Sequence, residues 1–581
     1  MKVFIFNATI ILLFVLLPAI ISAQTFVDID AGIMGVSNSS VTWGDYDNDM
    51  DMDILICGEN NNGASITKLY NNNNGIFTDT DLEFAGLKNG WVRWGDYDND
   101  GDLDLLATGN NAGEQTFLYK NESNSFIEVN PGLDYFGEYS SVSWNDYDND
   151  GDLDIFITGN WNSKLYQNQG DDIFIDTEQE FVTITSSRSS WADFDKDGDM
   201  DLLLTGDTGA GMKLYCYINN KGEFEEIEFA NMGFSSGSVE WGDYDNDGDL
   251  DILIMGFNDY IEPEANIYRN DGYLIFTNIY AGIPPVAMGN ATWGDYDNDG
   301  DLDILISGKL AGCGIFTTKL YENTGNDFFV DATAGLTAAE RSSIAWGDYD
   351  NDRDLDILLA GLDYGGNSFT TIYQNNFNLP NLLPQPPQGL SVLFEDEMVI
   401  LNWDKASDPQ TPQEGLFYNI RIGTNSSASN TMSPMAFMEN GQRKIYDFGN
   451  TSQSNSWRLT GLEPGNTYYW SVQTIDNTFG GSEFSEEYTF YYSLTNTDEF
   501  SLSNSVIQVY PNPANDYIVV NVQEGNRDNL ILSIYALNGT IVLQKNTIAG
   551  ELIDISNIDE GIYFIEAVFE NKLIFEKLII K

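Results

Sequence analysis

One phrase, Trp-Gly-Asp-Tyr-Asp-Asn-Asp-Gly-Asp-Leu-Asp, recurs with small variations seven times, opened by Trp43, Trp94, Trp144, Trp191, Trp241, Trp293 and Trp346. Successive tryptophans are 51, 50, 47, 50, 52 and 53 residues apart. A period of that length marks a repeat architecture, because one unit of about 50 residues cannot bury its apolar face alone. Thirty-five of the chain's 91 acidic residues fall in these seven phrases, five aspartates to each. The fold must therefore be periodic and must solve the same electrostatic problem seven times.

Each repeat breaks into four short extended segments. One ends at the Trp, a second follows the aspartates as an apolar run such as Asp251–Met255, and a third carries a Lys-Leu-Tyr-like triplet. A fourth begins at a phenylalanine: Phe77, Phe126, Phe174, Phe224, Phe276 or Phe328. Bounded by Gly/Asn/Asp clusters and without helical period, these read as four-stranded antiparallel blades. Such blades bury both faces only by packing radially, so the fold class is all-β, with a seven-bladed β-propeller over residues 24–379. The seventh repeat stops after Tyr373 without its fourth strand, while Phe26–Ile33 supplies that phrase ahead of the first Trp. The N-terminal strand is expected to complete the last blade and remove the open edge.

In the copy Asp243-Tyr-Asp245-Asn-Asp247-Gly248-Asp249-Leu-Asp251, side chains at positions 1, 3 and 5 of a tight loop converge on one point. Glycine at position 6 permits φ > 0, and the carbonyl at 7 and carboxylate at 9 close the shell. Six to eight hard oxygens suit Ca²⁺, whereas Mg²⁺ demands stricter geometry and keeps its waters. A merely solvated acidic loop needs neither the fixed spacing nor the glycine. An EF-hand begins with the same spacing, but no helices flank these loops and no Glu stands at position 12. The expected ligands are Asp45, Asp47, Asp49 and Asp53 in loop 1, and Asp96, Asp98, Asp100 and Asp104 in loop 2. Loop 3 offers Asp146, Asp148, Asp150 and Asp154, and loop 4 Asp193, Asp195, Asp197 and Asp201. Loop 5 offers Asp243, Asp245, Asp247 and Asp251, and loop 6 Asp295, Asp297, Asp299 and Asp303. Loop 7 offers Asp348, Asp350, Asp352 and Asp356. Up to seven Ca²⁺ are expected, with weaker binding in loops 1 and 7, where Met50 and Arg353 occupy the glycine slot. On motif, period and copy number the repeats resemble the FG-GAP/VCBS family, the calcium-loop blades also seen in integrin α-chain propellers, from about Phe26 to Phe377.

Composition narrows the function. With 25 Lys+Arg against 91 Asp+Glu the net charge is −66, which repels nucleic acid. No histidine is present, which excludes Ser-His-Asp and Cys-His catalysis and His-ligated zinc. Lys2, the apolar run Ala8–Ile21 and Ser22-Ala23-Gln24 read as a secretory signal peptide over residues 1–23. The run is short for a membrane anchor and Pro18 interrupts it; no later stretch is apolar enough to span. Cys57, Cys216 and Cys313 occupy dissimilar positions and imply no disulfide framework.

Residues 380–388, Pro-Asn-Leu-Leu-Pro-Gln-Pro-Pro-Gln, read as a stiff linker. Beyond it, Trp403, Tyr418 and the Leu462-Glu-Pro464-Gly-Asn-Thr-Tyr468 corner give residues 389–492 the look of a fibronectin type III domain, expected as a spacer. Residues 505–581, with Val509-Tyr-Pro511-Asn512-Pro513, Leu532–Gly539 and a basic-ended last strand, resemble the type A C-terminal sorting domain of type IX secretion. That resemblance implies a small β-sandwich, a Gram-negative bacterium of the Bacteroidota kind, an interaction with the type IX machinery, and release or attachment at the outer-membrane surface.

Gly233-Phe-Ser235-Ser-Gly237 fits the G-x-S-x-G elbow, but it precedes an inner strand rather than a helix and no histidine can serve as base. The expected role is a non-enzymatic, calcium-binding binding or adhesion protein for an extracellular glycan or surface protein. A lyase-like polysaccharide enzyme using a Tyr or Lys base is the alternative, and a structural surface-layer component a third reading. The calcium loops join strands 1 and 2, so the variable 2–3 and 4–1 loops share the opposite rim. Their aromatics, Trp91, Tyr135, Phe136, Tyr139, Trp161, Phe257, Tyr260 and Tyr364, mark the expected ligand face.

Overall fold

The computed structural model describes residues 26–581 except 112, 230–231, 313, 378, 396–397, 494–506, 512, 523–528, 537–540, 549, 559–560 and 570–571. The expected signal segment and Cys313 lie outside the described residues. The chain divides into two compact units, Met1–Ser493 and Leu494–Lys581.

In the first unit each Trp repeat folds into antiparallel strands paired in chain order. Repeat 5 is typical: Ser235–Gly242, Asp251–Phe257, Pro263–Asn270 and Phe276–Asn278. Its second strand is buried from Asp251 to Gly256, which is why the sequence there runs apolar without alternation. The innermost strands of the seven repeats pack each against the next, and Glu340–Gly347 of repeat 7 returns to Val36–Gly44 of repeat 1. The array is a closed, propeller-like ring. As expected, Phe26–Asp28 supplies the outermost strand of repeat 7, with Phe26 opposite Asn375 and Asp28 opposite Tyr373. Phe26 is fully buried, its ring centroid 6.0 Å from that of Tyr296 and 6.5 Å from that of Trp346.

Three contacts couple neighbouring repeats. First, in the five repeats with glycine after the Trp, that glycine receives the next repeat's indole: a Cβ on Gly44 would fall 2.5 Å from Trp94, and one on Gly294 2.7 Å from Trp346, while Ala192 stands there in repeat 4. A Cβ on Gly347 would fall 2.6 Å from Trp43, which carries the contact around the closure. Where Asn145 replaces glycine, the facing Trp191 is only partly buried and donates its indole N–H to Ser143 Oγ at 2.9 Å. Second, an asparagine ending the third strand donates to the carbonyl of the preceding repeat's loop Tyr, as in Asn121 to Tyr46 (2.8 Å) and Asn72 to Tyr349 (2.9 Å). Third, a phenylalanine opposite that asparagine fills the gap between repeats, as Phe174 does between Tyr97 and Trp144. In repeat 6 this residue is Phe329, paired with Asn323, and not Phe328 as expected. Strand side chains alternate, so the one-residue shift leaves Phe328 exposed and buries Phe329 against Tyr244 and Trp293.

Residues 391–491 form two three-stranded sheets. Ser391–Glu395, Met398–Asn402 and Ser456–Leu459 make one; Phe417–Gly423, Thr467–Ile475 and Tyr488–Tyr491 make the other. They enclose Trp403, Tyr418, Trp457 and Trp470, and the Tyr468 hydroxyl accepts the Glu463 N–H at 2.8 Å. The expected spacer arrangement is not what the structure shows. The sandwich docks on the Asp loops, and the proline-rich segment is pinned: Asn381 donates to Asp476 (2.7 Å), and the Gln385 N–H to Ser407 O (2.9 Å). A long arm between the sheets, residues 424–455, reaches the ring axis, where Phe448 stacks on Phe417 with centroids 4.0 Å apart.

The second unit holds two sheets around Ala514, Ile518, Val520, Leu532, Ile534, Ile565 and Leu578. Ile507–Tyr510, Tyr517–Val522 and Leu552–Asp554 pair in one, and Asn529–Ala536, Ile541–Ile548, Gly561–Phe569 and Lys572–Ile580 in the other. Among the described residues no helix is long and apolar enough to cross a membrane.

Two tests follow from ring closure. Gly294→Ala should destabilise the mature chain by about 1–3 kcal/mol, since the Trp346 indole has nowhere to retreat, whereas Gly272→Ala, with open space at its Cβ, tests only backbone strain. Both are read by denaturant unfolding. Deleting residues 24–34 should expose the third strand of repeat 7 and produce aggregates in size-exclusion chromatography; a monomer with unchanged melting would refute the closure.

Candidate metal centre

Each Asp loop is a turn in which the backbone orients carboxylates before anything binds. In loop 5, Asp243 Oδ1 accepts the Asp247 N–H (3.1 Å) and its Oδ2 the Gly248 N–H (2.9 Å). Asp251 takes the Tyr244 N–H (3.2 Å) and, across the sheet, the Asn270 N–H (2.8 Å). Loop 6 repeats the pattern at Asp295 and Asp303, and loop 7 at Asp348 and Asp356.

Carboxylate oxygens from positions 1, 3 and 9 come within 4.8 Å of one another in loops 1, 2, 3 and 5: Asp45/Asp47/Asp53, Asp96/Asp98/Asp104, Asp146/Asp148/Asp154 and Asp243/Asp245/Asp251. In loop 4 the trio is Asp193, Asp195 and Asp197. Position 5 turns an oxygen to the position-7 N–H, at Asp49, Asp100, Asp150 and Asp247 and also at Asp197 of loop 4.

Two observations test whether a cation fits. Position 3 carries a buried Oδ1 without a hydrogen-bond partner in five loops, at Asp47, Asp98, Asp148, Asp297 and Asp350. An unpaired buried acceptor is costly, and a repeated one marks a place for positive charge. Burial also pushes the carboxyls upward: Asp45 to about 6, Asp96, Asp193, Asp243 and Asp348 to about 7, Asp53, Asp104 and Asp201 to about 9. Repulsion from neighbouring aspartates adds to that burial effect. An all-oxygen donor set of this kind is suited to a hard divalent cation.

Position 6 is left-handed in every loop, with φ from 89° to 95° at Gly101, Gly151, Gly198, Gly248 and Gly300. Met50 and Arg353 hold 74° and 73° there, so both adopt the strained conformation that their side chains disfavour.

The position-4 asparagine and position-7 aspartate, left without a side-chain role by the sequence pattern, form a belt around the ring. Asn48 donates to Asp102 (2.7 Å), Asn99 to Asp152 (2.8 Å), Asn149 to Asp199 (2.7 Å) and Lys196 to Asp249 (3.2 Å). Asn246 donates to Asp301 (2.9 Å), Asn298 to Asp354 (2.8 Å) and Asn351 to Asp51 (3.1 Å), closing the circuit. The Asn-Asp alternation was the available signal.

All seven loops touch the sandwich. The Asp45 N–H donates to Lys444 O (3.0 Å), and the Ser433 N–H to Asn99 Oδ1 (2.7 Å). The Thr460 N–H reaches Asn149 O (2.7 Å), and Arg458 pairs with Asp197 and Asp199 at 3.3 and 2.8 Å. Gln453 donates to Asp243 (2.9 Å), Asn477 O accepts the Asp295 N–H (3.1 Å), and Gln442 donates to Asn351 (2.9 Å).

Of the aromatics expected on the opposite rim, Tyr135, Tyr139, Trp161, Tyr260 and Tyr364 are exposed, as is Tyr280, which the sequence reading passed over. Phe257 is partly buried. Trp91 and Phe136 are buried at 7% and 1% exposure: Trp91 lies on an inner strand facing the axis, and Phe136 packs between repeats 2 and 3. The serine elbow is a bulge. Ser235 opens an antiparallel strand, and a Cβ on Gly237 would sit 1.9 Å from Met255 O, which explains the glycine without catalysis.

A model of FG-GAP-like repeats matches residues 45–107, 146–204 and 193–254. Among solved structures, an Agrocybe aegerita lectin that recognises non-reducing terminal N-acetylglucosamine aligns at 17% identity and TM-score 0.35, over 51% of this chain and 80% of that one. A Penicillium chrysogenum α-L-arabinanase complexed with arabinobiose aligns at 11% identity and TM-score 0.29, over 59% and 98%. No curated protein matches the chain. The secretion system C-terminal sorting domain matches residues 508–581, so the chain carries FG-GAP-like repeats ahead of a tail that directs export to the cell surface or beyond.

Proposed function

We propose that this is a secreted or surface-held, non-enzymatic binding or adhesion protein. In this reading a seven-bladed propeller is held by Ca²⁺ in its Asp loops, a fibronectin type III module is seated on the calcium rim, and an extracellular glycan or surface protein docks on the opposite rim. The tail of the second unit engages the type IX machinery. The observation that carries the face assignment is the docking of the sandwich on all seven Asp loops, which consumes that rim. The opposite rim holds the variable hairpins with Trp161, Tyr260 and Tyr364, and aromatic side chains on rigid scaffolds stack on sugars and anchor proteins.

Calcium acts here as a structural element. Extracellular sites of this chemistry have Kd of roughly 10⁻⁴–10⁻³ M. At ten times Kd each occupied site adds about 1.4 kcal/mol, so seven approach ~10 kcal/mol, comparable to a whole domain's stability.

Millimolar Ca²⁺ should raise the melting temperature of the mature chain on the order of 10 °C or more, and an unchanged value in chelator would refute the role. The increment is pH-dependent. In the metal-free fold burial pushes Asp45 up to about 6 and Asp53 and Asp104 up to about 9, above the ordinary carboxylate range. Their protonation therefore stabilises the fold fully at low pH, and that contribution is lost as pH rises through those values. Metal-free melting should fall between about pH 5 and 9, while Ca²⁺, which needs the ionised form, binds more tightly over the same window. Asp245→Ala, which removes a ligand while leaving the backbone bonds to Asp243 and Asp251 in place, should lower calcium stoichiometry by about one in equilibrium dialysis. Arg353→Gly should tighten loop 7.

Replacing Trp161, Tyr260 and Tyr364 together by Ala should abolish binding in a glycan and surface-protein screen and leave calcium-dependent melting intact. Binding that survives this change, and is lost only through charge reversal on the Asp-loop rim, would overturn the face assignment. Cleavage of a polysaccharide by the purified chain would favour the enzyme reading.

A further inference from the structure

The ring axis encloses a chamber of about 330 Å³, at the lower end of the range of small-ligand sites of ~300–1,000 Å³. Its walls are the inner strands, and the arm residues Tyr446, Asp447 and Phe448 line its Asp-loop end. Around most of the circumference the wall is short and polar, with Ser143, Ser190, Asn290 and Thr292 among its residues. On one side it is cationic. The guanidinium carbons of Arg93 and Arg188 lie 4.7 and 4.1 Å from the centre of the Trp91 ring. Both side chains are enclosed by the ring yet keep accessible surface, which they present to the chamber. Arg443, at 4% exposure, reaches the same space from the arm.

These three cations face two carboxylates, Glu240 and Asp447, and among the described residues no ion pair joins any of the five. The carboxylates are engaged elsewhere: Glu240 accepts the Trp293 N–H at 3.4 Å and Asp447 the Phe448 N–H at 2.8 Å. Each arginine satisfies part of its fork on a backbone carbonyl, Arg93 on Val92 (3.1 Å), Arg188 on Ser187 (2.7 Å) and Arg443 on Pro434 (3.2 Å). The Nε atoms of Arg188 and Arg443 are buried donors without a partner. Asp447 offsets charge on Arg93 and Arg443, and Glu240 on Arg93, whereas the charged neighbour of Arg188 is another cation, Arg93. A buried guanidinium so placed is expensive, and in a chain of net charge −66 a local excess of positive charge needs a cause.

We propose that the axial chamber is a binding site for a small oxyanion, a carboxylate or sulfate, held by Arg188 and Arg93 beside Trp91. The planar fork of arginine matches two-oxygen anions. The surrounding hydroxyls and amide suit the polyol of an acidic sugar, and the Trp91 face is already occupied by the guanidiniums, so it positions them rather than stacking ligand. This site is distinct from the rim on which the adhesion reading rests, and either can fail without the other.

The test uses the mature, calcium-loaded chain in chloride buffer of fixed ionic strength, titrated calorimetrically with galacturonate, galactose and inorganic sulfate. Saturable binding of galacturonate or sulfate, absent for galactose, is expected; galacturonate tighter than sulfate assigns the sugar ring to the site, and equal affinities assign the anion alone. Arg188→Gln and Arg93→Gln should each weaken that binding at least about tenfold, or ~1.4 kcal/mol, with calcium-dependent melting retained. In anion-free buffer Arg188→Met should melt no lower than the parent chain, since the unpaired charge is removed. Should these variants fail to fold, an anomalous selenate peak between Arg93 and Arg188 in crystals of the unaltered chain supports the site, and its absence counts against it. No saturable binding of either anion, or affinity unchanged in Arg188→Gln, overturns the proposal.

Discussion

Carboxylates brought together in a single turn repel one another, and the ring is organised around that repulsion. Two like unit charges about 4 Å apart cost roughly 4 kcal/mol at the effective dielectric of a protein surface, and the trios in loops 1 to 5 lie within 4.8 Å. The backbone offsets part of this. Position 1 takes two N–H groups and position 9 takes two more, one of them from the third strand of the same sheet. What the amides leave unmatched is the inward oxygen of position 3, the atom a cation would claim. Neutralisation is also not local. The Asn-to-Asp belt ties each loop to its neighbour, and Asn351 to Asp51 closes it, so a loop that collapses onto an ion fixes the position-7 carboxylate of the next.

Much of this was legible in the residues. The Trp period marked the seven strand repeats, two of which, the first and the last, share one sheet; the Asp spacing located the carboxylate trios, and the displaced Phe26 phrase identified the closing strand. The reason for the glycine that follows the Trp in five repeats lies about 50 residues away: it is flat so that the next repeat's indole can lie on it. The same holds for the position-4 asparagine, whose partner belongs to the next loop. Phe328 was preferred over Phe329 because both fit the local pattern, and only the pairing with Asn323 separates them. Trp91 was assigned to a rim loop. The inner strand of repeat 2 begins at Lys88, with a register shift between Lys88 and Trp91 that turns the indole to the axis.

The seating of the sandwich was the least legible feature. Its contacts with the Asp loops come from scattered residues, Ser433, Lys444, Gln453, Arg458, Thr460 and Asn477, none of which forms a motif. A proline-rich segment reads as a spacer from composition, yet Asn381 within it is anchored by Asp476 and Thr478. Composition reports stiffness; it does not report which surface a stiff segment is fastened to.

The docking gives the repeated Asp loops a second consequence. Seven turns of nearly one sequence present nearly one surface, useful for a partner that contacts all of them and poor for one that must discriminate. The sandwich is such a partner, and it meets each loop with a different residue, some through side chains and some through backbone groups, so the near-symmetry of the ring is broken from the sandwich side rather than from the loops. Diversity within the ring is displaced to the other ends of the same strands. There the hairpins range from Asn160–Trp161 to residues 258–262, and every inner strand but that of repeat 3 bulges before entering the sheet. The loop rim is spent on holding the unit together, so the variation that the repeat permits, and with it the binding role proposed above, lies on the other rim.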